Sequence, residues 1–154
     1  MTSKSLERKT FNHYKKSLVR ELGSKATEGE DLNRVAHREL GPAFAGVFPS
    51  DRVKLKPNKY YIINTDPHDK PGEHWIGMAT TKKRAYIWDS YGRDIGTLVP
   101  GLIKKINKSG MQIGGTNTIP HGEQIGYSSE ICGPYSLAFL LTVRDLGISR
   151  AKGI

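Results

Sequence analysis

Four residues, in the chain order His74, Asp89, Gln124 and Cys132, can between them supply thiol-based acyl transfer. That chemistry needs a thiolate to attack a carbonyl, a base to take and return its proton, a group to orient the base, and donors for the developing oxyanion. Cys132 is the single cysteine among 154 residues, and it opens Cys132-Gly133-Pro134 ahead of a nearly all-apolar stretch, Tyr135 to Val143, that predicts a buried helix. The unpaired N–H groups and dipole at a helix N-terminus favour an anion, so the placement suits a thiolate. The competing reading is an inert structural cysteine, because free Cys is among the most buried residue types.

The partners are spread along the chain. His74 begins a predicted strand in Gly72-Glu73-His74-Trp75, and Asp89 ends the next one in Trp88-Asp89-Ser90. An antiparallel hairpin would bring these flanking positions side by side. Gln124 precedes Cys132 in a polar loop, Gly122 to Glu130, from which its amide could point at the same space. Each has a plainer role taken singly. His13 and His37 fall in predicted helices and His68 and His121 in loops, so a histidine alone says little, and Asp89 before Ser90-Tyr91-Gly92 could simply initiate a turn. One Cys and five scattered His show no pair at ligand spacing, so neither a metal nor another cofactor is expected.

The elements that must hold these residues follow from periodicity. Leu6, Phe11, Tyr14, Leu18 and Leu22 predict an amphipathic helix between Ser3 and Gly23, and a second helix runs from Glu30 to Leu40. Gly41 to Ser50 reads as a Gly/Pro-punctuated loop. Strands are predicted at Lys59 to Asn64, His74 to Thr80 and Ala85 to Asp89, with Thr81 to Arg84 as a hairpin turn. The continuous apolar runs Tyr60 to Ile63 and Tyr86 to Trp88 mark strands covered on both faces. A helix from Leu98 to Asn107, a loop with a short strand in Gln112 to Pro120, and a last helix from Cys132 to Asp145 complete the pattern.

Composition bounds the partners. The length suits one domain able to bury about two-thirds of its unfolded surface without a disulfide. With one cysteine, no signal peptide and no apolar run of membrane-spanning length, the expected setting is inside a cell or a particle assembled there, neither secreted nor membrane-bound. Lys and Arg number 24 against 15 Asp and Glu, a net charge of +9, which implies attraction to a polyanion such as nucleic acid. Lys4, Arg8, Lys9, Lys15, Lys16, Arg20 and Lys25 crowd the N-terminus, with smaller groups at Lys82 to Arg84 and Lys104 to Lys108. An ordinary solvated surface would look the same.

Tyr61-Ile62-Ile63-Asn64-Thr65, Gly72-Glu73-His74-Trp75, Trp88-Asp89-Ser90 and Ile131-Cys132-Gly133 resemble the landmarks of the adenovirus-type maturation proteases, the adenain family, within the wider group of ubiquitin-like-protein proteases. The likeness covers about residues 32 to 146 and extends to Leu40-Gly41 and the Phe44 to Phe48 stretch. It implies an α+β, papain-like fold: a central mixed or antiparallel sheet packed on the helix that begins at Cys132. Residues 1–28 would be a basic helical extension and 29–154 the protease domain. The resemblance assigns Cys132 as nucleophile, His74 as base and later acid, Asp89 as orienting carboxylate, and Gln124 with the Cys132 N–H as oxyanion hole. Expected substrates are viral structural precursors cut near glycine, in a virion or infected cell, with a monomer as the default state.

Three departures stand out. Adenain carries Glu where this chain has Asp89, a difference shared with the SUMO-type branch. The Gln124 to Cys132 spacing is longer than the family's usual gap. Adenain's activating peptide can attach through a second cysteine; none exists here, so an activating peptide or DNA would act non-covalently. Two other readings stay open: a deubiquitinating or deSUMOylating isopeptidase of the same fold, and a nucleic-acid-binding protein with a vestigial site.

Overall fold

Alternation along three strands divides the interior into two cores. A computed structural model describes residues 5–23, 27–72, 74–114, 131–152 and 154. In it, β2 (Tyr60–Asn64), β3 (Trp75–Thr80) and β4 (Arg84–Trp88) are buried over most of their length. Successive side chains of a strand point to opposite faces. Ile62, Ala79 and Trp88 accordingly join one core, whereas Tyr61, Ile63, Ile76, Met78, Ala85 and Ile87 join the other. Tyr61 keeps its phenol in the second core by receiving the Lys56 N–H at 2.8 Å and donating to the Lys54 carbonyl at 3.0 Å.

The sheet is mixed, in the order β1-β2-β3-β4-β5. Its middle is antiparallel, with Ile62 opposite Gly77 and Met78 opposite Ile87, and both outer pairs are parallel. The α+β class and mixed sheet expected from the sequence are therefore present. The first face carries α1 (Leu6–Leu22), α2 (Gly29–Leu40) and α5 (Cys132–Leu146); the second carries α4 (Pro100–Lys108), preceded by the single turn α3 (Ile95–Leu98). A short α6 (Ile148–Ala151) follows Gly147, whose φ of 86° ends α5. Among the described residues no helix is long and apolar enough to cross a membrane.

Three readings needed correction. Gly41 to Ser50 is not simply a loop: after one 3-10 turn at Gly41–Ala43, Phe44–Pro49 forms β1, parallel to β2. Its register slips between Phe44 and Gly46, and Gly46 takes a φ of 141°, a conformation open to glycine that leaves its Cα hydrogen facing the Phe48 ring. The glycine and proline read as loop signals are those of a bulged edge strand, whose hydrogen bonds come from a partner far along the chain. The predicted helix from Leu98 to Asn107 is split, because Val99 at φ −136° and ψ 64° breaks it and Pro100 starts the next at a position that needs no N–H donor. The turn at α6 was not anticipated at all.

The N-terminal segment read as an extension packs into the common core. Phe11 is fully buried against Trp88, ring centroids 5.5 Å apart, and Leu18 joins the same cluster. Lys9, Lys16 and Arg20 stay exposed on the outer side of α1.

Candidate active site

The hairpin supplies two residues just beyond its paired ends. His74 lies immediately before β3 and Asp89 immediately after β4, and the ladder between those strands closes at Gly77 opposite Trp88. The imidazole Nε2 is 2.5 Å from Asp89 Oδ1. A carboxylate can only accept, so Nε2 carries the hydrogen and Nδ1 is the nitrogen left for other work. Both side chains are removed from solvent.

Cys132 comes from the opposite direction, as the first residue of α5. Among the described residues no side chain caps this helix, and an N–H at its first position has no partner within the helix. Close packing brings the thiol to the hairpin. A Cβ on Gly77 would stand 3.2 Å from the Ser136 carbonyl oxygen, and one on Gly133 would stand 3.3 Å from both Leu32 Cδ2 and Trp75 Cδ1. The Ser136 hydroxyl donates to the Trp75 carbonyl at 3.2 Å, and the Trp75 N–H donates to Cys132 Sγ at 3.3 Å. The residue after His74 thus holds the sulfur beside the imidazole. Nδ1 is buried and has no hydrogen-bond partner among the described residues, which leaves it for the Cys132 sulfur close by.

Electrostatics favours a charged dyad. Burial works to lower the His74 pKa, but the bond to Asp89 and the adjacent Cys132 sulfur outweigh it and hold it above the ordinary 6.5. Burial would likewise raise the Asp89 pKa, yet the His74 bond and the donors of Arg93 take it from 3.8 down to about 2. The two shifts act on stability with opposite signs. Stability from His74 is fully present below pH 6.5 and fades as pH climbs through its raised value; that from Asp89 is present above 3.8 and is lost as pH falls toward 2. The Asp89 part amounts to about 2 kcal/mol. Urea melts between pH 5 and 2 should therefore show Asp89→Asn losing less stability than wild type; parallel curves would assign the acid loss to other carboxylates.

A groove of about 780 Å³ runs away from Cys132 and Trp75. Its walls are the start of α2 with Glu28 and Asn33, the β1 segment 45–49, and the turn from Asn64 to Gly72. It is large enough for several residues of an extended peptide, and Cys132 is part of its lining.

Of the four residues expected to act together, the structure unites His74, Asp89 and Cys132; Gln124, like His121, lies outside the described residues. His68 pairs instead with Asp51 and Arg52, and His37 packs edge-on against Phe44. Among the described residues no group of three His, Cys, Asp or Glu side chains could hold a metal ion. Two residues at the site were missed: Tyr91, whose ring lies 5.4 Å from that of His74, and Arg93, which bonds Asp89. The available signal was a cation four residues beyond Asp89 in the turn Asp89-Ser90-Tyr91-Gly92-Arg93.

No protein-family profile matches the chain, and no curated protein matches it.

Proposed function

We propose that this protein is a cysteine peptidase of the adenain type, with the papain-like arrangement in which nucleophile and base come from different layers. One observation carries the reading. Three distant segments converge to set a buried His–Asp dyad beside the lone thiol, at a helix N-terminus that opens onto a groove.

The chemistry follows from the atoms. His74 Nδ1 takes the Cys132 proton, and the thiolate attacks the scissile carbonyl. The oxyanion receives the Cys132 N–H, and a donor from Gln124 in the manner of the family. Collapse breaks the C–N bond as the imidazolium protonates the departing amine, leaving a thioester. Water, deprotonated by His74, then hydrolyses the thioester and restores the thiol. Asp89 keeps Nε2 protonated and the ring in plane throughout. The groove suits an extended chain, and the resemblance supports glycine-containing sites in viral structural precursors as substrates.

The test is the rate at which a mild alkylator modifies Cys132 between pH 5 and 9, read by intact mass. Wild type should react rapidly well below pH 8, and His74→Ala should lose that acid-side reactivity while keeping slow reaction at high pH. Identical profiles for the two proteins would remove the His-activated thiolate and the peptidase reading with it.

A further inference from the structure

We infer that Arg93 is a positioning residue for this site, an inference that rests on the peptidase reading: it clamps the Asp89 carboxylate in the plane that aims His74 Nδ1 at the thiol. Arg93 reaches Asp89 by three routes. Its backbone N–H donates to Oδ2 at 2.9 Å, its Nε–H to the same oxygen at 3.0 Å, and Nη2 lies 3.4 Å from Oδ1. The oxygen that receives His74 is thus also within reach of the guanidinium, which fixes the rotation of the carboxylate as well as its place.

Tyr91 links clamp and base. The Arg93 guanidinium carbon stands 4.9 Å from the centre of the Tyr91 ring, and the His74 imidazole lies 5.4 Å from the same ring. His74 is consequently held at its edge by Asp89 and flanked by the tilted Tyr91 ring, and Arg93 touches both supports. The Arg93 side chain is about half exposed, so it can be changed without opening a core cavity. A lysine would keep the charge but lose the planar fork and the stacking.

Charge and positioning predict opposite results. Deleting a cation near His74 would by itself favour the imidazolium, and with it the thiolate, so Cys132 would react faster. Loss of orientation makes it react more slowly, because a misaligned base no longer holds the proton. Alkylation of Cys132 at pH 6 to 7 should slow about tenfold in Arg93→Gln, with Arg93→Lys close to Gln and far from wild type. On a peptide substrate the loss should fall on kcat, with KM changed less than about twofold.

Unchanged or faster alkylation in folded Arg93→Gln would overturn the inference, as would full activity in Arg93→Lys. Should the Gln variant fail to fold, the Lys variant decides by the same criterion. A wild-type thiol that lacks His74-dependent reactivity would instead refute the underlying peptidase reading, so the two failures are distinguishable.

Discussion

Cys132→Ala should abolish cleavage of a glycine-containing precursor peptide, lowering the rate by about four or more orders of magnitude, while leaving the fold intact. The nucleophile, base and orienting group act as a unit, so an otherwise complete site has no substitute for the covalent step. The fold should survive because the hydrogen bond that the sulfur accepts among the described residues, from the Trp75 N–H at 3.3 Å, lies at the first turn of a helix anchored elsewhere. Leu137, Phe139, Leu140 and Leu141 keep α5 in the core whatever occupies position 132. The expected loss of the lone sulfur is about 1 to 2 kcal/mol, set by the packing it leaves behind. Equal cleavage by wild type and variant, with matching circular dichroism, would place the activity elsewhere.

The largest expected effect on stability belongs to Trp88, the residue before Asp89. Its indole stacks on Phe139 of α5 at 5.2 Å, meets Phe11 of α1 edge-on at 5.5 Å, and donates its N–H to the Ile154 carbonyl at 3.0 Å. Strand, two helices and the C-terminal turn thus share one fully buried side chain. Trp88→Ala should cost about 3 to 5 kcal/mol, a large share of the usual 5 to 15 for a domain, and lower Tm by about 10 °C. Trp88→Phe should cost less, since it keeps most of the stacking and forfeits the N–H donor. A melting temperature for the Ala variant within two or three degrees of wild type would mean that α1 and the C-terminus do not rest on this residue.

The proposed catalysis would be exposed to the same packing. Asp89 follows Trp88 directly, and the helix stacked against Trp88 begins at Cys132, so partial loss of this core moves two members of the site at once. Substitutions at Trp88 should therefore depress activity before they unfold the protein.

The chain announces its chemistry more openly than its architecture. A lone thiol ahead of an apolar helix, a His-Trp pair opening one strand and an Asp closing the next are local patterns, and they survive into the structure because strand alternation and helix periodicity depend on near neighbours. The continuous apolar run Tyr60 to Ile63 marks a strand covered on both faces, and the structure buries Ile62 in one core and Tyr61 and Ile63 in the other. The break at Val99 was harder to see, because the apolar positions on either side of it keep a helical spacing.

What no local pattern could show is where separated segments meet. Phe44–Pro49 becomes a strand only because β2 offers it hydrogen bonds, and the glycine and proline within it argue against that when read alone. Arg93 reads as one surface cation among 24 basic residues until the turn after β4 folds it back onto Asp89. The basic N-terminal helix reads as an appendage until Phe11 is seen against Trp88. The meeting of the thiol with the hairpin, Cys132 with Trp75 across 57 residues of chain, depends on Gly77 and Gly133 admitting α5 against the sheet. Residue types and spacings point to the chemistry that the side chains could offer, being properties of single residues and their near neighbours; close packing between distant segments decides which of those residues come together.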